Sequence, residues 1–161
     1  MRRLAADTRG TATIEFALLS VFFFVALTAV LDIGIWYQHR LRLDSAVEQG
    51  AMLAFGTRSN VDQAAIATFV AAAAKLSIAP TIKVGCNGGT SNCVNSSRSC
   101  ACVSGRTPTF TAATCNASCA DGSLAGYYLT IEASATSTPM VVSSSVLGGI
   151  TQQRRALVRL E

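Results

Sequence analysis

Charge is scarce in this sequence. Only 14% of its 161 residues are Asp, Glu, Lys or Arg, against roughly 25% in ordinary soluble domains, while half are hydrophobic. Phe16 to Leu31 holds no charged residue at all, and the apolar character continues past Asp32 through Ile35, Trp36 and Tyr37. Histidine occurs once, at His39, with no nucleophile or acid placed beside it in a catalytic pattern. The glycine-rich stretch "GCNGG" (85–89) lacks the G-K-[ST] ending of a phosphate-binding loop. No enzyme is expected, and no residue is assigned a catalytic role. Cysteine is missing from the first 85 residues, and those that follow have no paired C-x-x-C spacing. With His39 far upstream, neither a metal site nor any other cofactor is expected. The net charge of +4 is partly due to the N-terminal arginines: without Met1 to Gly10 the chain keeps 10 basic and 8 acidic residues, or +2. That balance does not point to nucleic acid as a partner.

The long apolar run is the first positive feature. It has three consecutive phenylalanines at 22 to 24 and no polar face. A helix of ~20 such residues would span roughly 30 Å, the hydrocarbon thickness of a bilayer. Trp36 and Tyr37, followed by His39, Arg40 and Arg42, read as an aromatic belt and a polar exit into water. Arg2, Arg3 and Arg9 before the run give a small basic bias that puts the N-terminus on the cytoplasmic side. Leu43, Val47, Gly50, Ala51 and Ala54 then recur at helical spacing, so one helix is expected from about Thr11 to Phe55, ending at Gly56. Its length would be roughly 65 to 70 Å. Ser45 to Glu48 also fits a capping box, which leaves a kink or a fresh helix start open there.

A second helix is expected after a capping box at Asn60 and Gln63, running to Ser77 with Ile66, Phe69, Val70 and Ala73 as its apolar stripe, packed against the outer part of the first. Beyond Pro80 the period becomes two. Ile82 and Val84 alternate with Thr81 and Lys83, and the alternation is clearest where Tyr127, Leu129, Ile131, Ala133 and Ala135 share one face. A last strand near Gln152 to Leu160 groups Ala156, Val158 and Leu160 and turns Arg155 and Arg159 the other way, and a short strand is also read at Ala101 to Val103. The stretch "PMVVSSSVLGGI" (139–150) is apolar without periodicity and would fill the core or touch a neighbouring subunit.

Cys86, Cys93, Cys100, Cys102, Cys115 and Cys119 fall within 34 residues, in a region rich in Gly, Ser, Asn and Thr. An even count in such a region reads as disulfides formed in an oxidising compartment, with the connectivity open. The segment from Gly85 to Gly126 is short of large apolar residues, so cross-links would stand in for a core. The fold class is therefore α+β: a long N-terminal transmembrane and stalk helix, a second helix, and a small, mainly antiparallel sheet with a disulfide-rich loop region.

One residue stands out against the apolar run: Glu15, near its start. A carboxylate in hydrocarbon costs on the order of 2.5 to 3.5 kcal/mol at mid-helix, so such residues generally have partners. A lone one near the membrane face can also snorkel to the headgroups, helped by the helix N-terminus. The arrangement Gly10, four residues, Glu15, Phe16, then the apolar run, behind a leader ending in Arg9, resembles the processing site of prepilins. The resemblance implies cleavage after Gly10 by a membrane aspartyl peptidase, the prepilin peptidase, on the cytoplasmic side. A secretory signal would be cut beyond the apolar run instead. The resemblance further implies that Thr11 becomes the first residue and Glu15 the fifth; that carboxylate can then pair with the new amine of an adjacent subunit, an assembly and registry role expected of Thr11, Glu15 and Phe16.

The run "LDIGIWYQHRLRLDSAVEQGAMLA" (31–54) is similar to the membrane exit and stalk of TadE-like minor pilins, or pseudopilins, of the tight-adherence (Tad, or Flp) type IV pilus system, through Asp32, Gly34, Tyr37, Ala46, Gly50 and Ala51. "RRALVRLE" also fits that group's ending. Ile35 stands where arginine is frequent in the family, and the cysteine-rich middle has no counterpart there. The resemblance implies a pilin-like plan: leader 1–10, transmembrane helix 11–36, helical stalk 37–56, and an extracytoplasmic head 57–161 with the cysteine-rich insert at 85–126. It implies a single-pass protein of the bacterial inner membrane, later in the pilus, whose partners are the prepilin peptidase, other pilin subunits, the Tad assembly platform and the bilayer. Two rival readings share these features: an uncleaved, signal-anchored adhesin or ligand-binding domain, and a pseudopilin of a type II secretion system.

Overall fold

The computed structural model describes residues 10–89, 93–139 and 150–161. Its elements are α1 (Thr11–Gly56), α2 (Gln63–Ala74), β1 (Thr81–Cys86), β2 (Cys100–Ser104), β3 (Thr109–Ala113), β4 (Tyr128–Ser137) and β5 (Ile150–Arg159). They fall into two compact units. Of the described residues, the first holds 10–37 with 138 and 139, and the second holds the rest. Most of the apolar stretch 139–150 lies outside the described residues.

α1 is a single helix of 46 residues, continuous through Ser45. The Ser45 hydroxyl accepts a hydrogen bond from the Gln49 side chain at 3.0 Å, one turn on, so the Ser-x-x-Glu pattern starts no new helix. Within the first unit its large side chains face outward, from Ile14 and Phe16 to Ile33. The hydroxyls in that stretch are satisfied inside the helix: Ser20 donates to the Phe16 carbonyl at 2.7 Å and Thr28 to that of Val25 at 2.8 Å. Such back-bonding leaves neither hydroxyl to oppose an apolar surrounding.

In the second unit α1 contributes Leu43, Ala46, Val47 and Ala54 to a core shared with Ile66, Val70 and Ala74 of α2 and with Leu129, Ile131 and Ala133 of β4. The spacing of three and four residues puts these side chains on one helix face. Leu43, Ile66, Val70, Leu129 and Ile131 are fully buried, a contribution of about 2 kcal/mol each. α2 begins two residues later and is capped differently from the sequence expectation. Asp62 is the N-cap and accepts from the Ala65 amide at 3.0 Å. Gln63 bridges instead to β1 and the cysteine loop, donating to the Val84 carbonyl and accepting from the Cys93 amide. Asn60 is taken by Asn95. The buried stripe is Ile66, Val70 and Ala74, with Phe69 39% exposed at its edge. The helix stops at Ala74 rather than Ser77, because Lys75 adopts a left-handed conformation (φ 47°) and its carbonyl accepts from Arg42 of α1 at 3.2 Å.

The main sheet has the order β1-β4-β5, antiparallel throughout. Alternation divides its cross-strand rows between two faces. Val84, Ile131 and Ala156, then Cys86, Leu129 and Val158, form rows on the core side. On the outer side one row is Thr81, Ser134 and Gln153, and the next is Lys83, Glu132 and Arg155. Glu132 and Arg155 are ion-paired. The sequence expectation for β1, β4 and β5 holds. The short strand expected near Ala101 is β2, and it pairs with β3 into a separate hairpin that the residues around Phe110 did not signal.

Candidate functional site

The two ends of the apolar helix differ in how they treat their acids. Gly10 is a turn residue whose carbonyl accepts the Ile14 amide at 3.3 Å, and Thr11 opens α1. Glu15 and Phe16 are exposed, and Glu15 takes part in none of the ion pairs of the described residues. Seventeen positions on, about 25 Å along the axis by helical rise, Asp32 is only 7% exposed. Around it Gly34 is open, with room for a Cβ, Trp36 is half-buried and Tyr37 is 53% exposed. Thus the carboxylate at the mouth of the helix is bare and the one at the exit is covered.

The stalk residues Ala46 and Gly50 are packing residues. Both are buried, and a Cβ on Gly50 would overlap Val70 of α2 and crowd Ile131 of β4. Small residues four apart let α1 lie directly on both elements.

All six cysteines are paired: Cys86 with Cys93, Cys100 with Cys115, and Cys102 with Cys119. The last two tie the β2-β3 hairpin to the segment after it and supply most of a second small core with Ala125. In that segment the Ser123 hydroxyl and amide both donate to Asp121, which holds its carboxyl below the usual carboxylate range. Among the described residues no three His, Cys, Asp or Glu side chains gather as metal ligands.

Two residues that the sequence reading passed over fix this insert in place. Asn87, at φ 49°, accepts from the Tyr128 amide at 2.9 Å and donates to the Ser99 carbonyl, linking β1, β4 and the strand leading into the hairpin. The Asn-Gly pair at 87–88 was its signal, since these residues favour left-handed turns. Arg98 donates to the carbonyls of Val94 and Arg58, lies 4.8 Å from the centre of the Tyr127 ring and approaches Glu161 at 3.8 Å. A lone arginine in a polar loop carries no such signal.

α1 is long and apolar enough to cross a membrane. Its most apolar 18-residue window has a mean hydropathy of 2.4 with none of it buried. One such helix near the N-terminus is compatible with a single-pass anchor, here in a chain that also carries a disulfide-bonded α+β unit. Residues 10–52 match the family described as TadE-like protein. The matched span covers Glu15, Asp32 and the buried Ala46 and Gly50, and stops before α2. No curated protein and no solved structure matches the chain.

Proposed function

We propose that this chain is a minor pilin or pseudopilin of the Tad pilus, made as an inner-membrane precursor with its N-terminus in the cytoplasm and its head in the periplasm. In this reading the prepilin peptidase cuts after Gly10, and the helix carries the subunit into pilus assembly, as a primer, tip or fibre component serving adhesion. The observation that carries it is Glu15: the one ionisable side chain from Thr11 to Leu31, exposed and without an ion-pair partner among the described residues.

The chemistry follows from cleavage. A cut after Gly10 converts the Thr11 nitrogen into an α-ammonium one helical turn from Glu15. When apolar helices pack side by side, water leaves their mouths, and an unmatched charge there is penalised while a matched pair is tolerated. Pairing between the Thr11 amine of one subunit and the Glu15 carboxylate of the next would therefore set the axial register of the helices. The remaining apolar surface of α1 supplies the packing area.

Intact mass and N-terminal sequencing, on protein from membranes of cells with and without the prepilin peptidase, test the reading. A terminus at Thr11 only where the peptidase is present supports it. Retention of Met1 to Gly10 in both strains rejects processing and leaves a signal-anchored binding domain as the better description.

A further inference from the structure

We propose that the outer face of the β1-β4-β5 sheet is a binding groove for an acidic saccharide. The groove holds about 530 Å³ between that face and the β2-β3 turn, whose Arg106, Thr107 and Pro108 form its far wall. A smaller recess of about 140 Å³, lined by Gly88, Gly89 and Phe110, continues it and shares Lys83, Glu132 and Arg155 with it. This surface lies wholly in the second unit and does not depend on cleavage after Gly10.

Charge sets the sign of the ligand. The central row across the sheet is Lys83, Glu132, Arg155, and its only acid is already matched by Arg155. Arg154, which also lines the groove, is matched by Asp44 of α1 at 2.5 Å. Lys83 on the floor and Arg106 on the wall are exposed and belong to none of the ion pairs of the described residues. Two uncompensated cations thus line one groove, an arrangement that favours an anion.

The rest of the lining sets its class. The row beside the charges is Thr81, Ser134 and Gln153, two hydroxyls and an amide that can each donate and accept. Such groups suit a ligand dense in hydroxyls. An acidic peptide bound by strand addition would need a free strand edge, with its unpaired amides and carbonyls, and this groove runs over a sheet face instead. In the recess the half-buried Phe110 ring offers an apolar surface for the C–H face of a pyranose.

The full chain in detergent micelles, titrated calorimetrically with hexagalacturonate, maltohexaose and hexaglutamate, tests the assignment. Hexagalacturonate should bind, maltohexaose should not at the same concentrations, and hexaglutamate should bind about tenfold more weakly or not at all. The double substitution Lys83→Gln with Arg106→Gln should weaken hexagalacturonate about tenfold with an unchanged unfolding midpoint. Gln153→Glu, which adds a negative charge without removing either cation, should weaken it too and decides the matter if the double variant does not fold. No binding of hexagalacturonate, or full binding by the folded variants, overturns the groove. Equal binding of hexaglutamate overturns the saccharide as its occupant.

Discussion

A Cβ added to Gly50 of α1 would lie 2.3 Å from Val70 Cγ2 of α2 and 3.3 Å from Ile131 Cδ1 of β4. Val70 is itself fully buried, so it cannot turn away without displacing its own neighbours. Gly50→Ala should therefore destabilise the second unit by about 1–3 kcal/mol through overpacking. That is against the gain of about 1 kcal/mol that alanine brings to an exposed helix interior. Denaturant unfolding of the full chain measures the sign. Adding Val70→Ala to Gly50→Ala should recover part of the loss, and a more stable single variant would show that the helices separate freely at this point.

Arg98 should be among the most sensitive positions in the insert. Its side chain is 11% exposed, and its removal leaves the Val94 and Arg58 carbonyls without their guanidinium donor. Arg98→Ala should lower stability by about 2–3 kcal/mol. Arg98→Lys should restore less than half of this, because one ammonium cannot reproduce a planar fork that also stacks on Tyr127. Comparing the two unfolding midpoints separates lost charge from lost geometry.

Reduction of the disulfides should open the molecule in part. Cys100–Cys115 and Cys102–Cys119 span 15 and 17 residues, and closing loops of that size stabilises by about 3 kcal/mol each in the chain-entropy account. The cluster they hold has Ala125 as its only fully buried residue other than cysteine, so little would keep it closed. Under a reductant, amide hydrogen exchange should accelerate across 100–126 and stay slow across 129–133, where Leu129, Ile131 and Ala133 belong to the main core. Equal acceleration in both would mean that the two cores unfold as one.

Glu15 should matter to assembly and not to the subunit. Being exposed and absent from the ion pairs of the described residues, it has nothing to lose within the chain, so Glu15→Gln should leave the unfolding midpoint of the purified protein unchanged. Incorporation into pili should fall roughly tenfold or more if an unmatched ammonium is left between packed helices. Quantitative immunoblotting of sheared pili against whole cells reads the ratio. Normal incorporation of Glu15→Gln would remove the registry role.

Periodicity carried most of what was legible in the sequence. The charge-free run announced α1 because it is apolar on every side, and alternation from Tyr127 to Ala135 announced β4 because one face of that strand is buried. Where a polar side chain had a choice of partners, local reading went astray. Gln63 fits a capping box with Asn60, but the fold brings Val84 and Cys93 to it from 21 and 30 residues away. Phe69 looks like a stripe residue, yet the surface that α2 meets favours the smaller Ala74. The β3 strand, Thr-Phe-Thr-Ala-Ala, is set by pairing with β2 and by two disulfides rather than by its own pattern. The groove was not legible: the alternation of Thr81 and Lys83 signalled only a strand, and the other wall needed the hairpin's position.

That position rests on Asn87, which gives the last prediction. Its backbone is left-handed, so Asn87→Ala must strain the turn as well as surrender both side-chain hydrogen bonds, whereas Asn87→Gly relieves the strain and surrenders only the bonds. Alanine should therefore cost more than glycine, by roughly 1 kcal/mol. Both should loosen the hairpin over Tyr128, since Phe110 contacts that ring edge-on at 6.4 Å and packs over Gly88. If the Arg106 wall belongs to a binding groove, both variants should also weaken hexagalacturonate while Lys83 and Arg106 remain intact. Stability loss without loss of binding would mean that the sheet face binds alone, and the hairpin would then be only a structural insert.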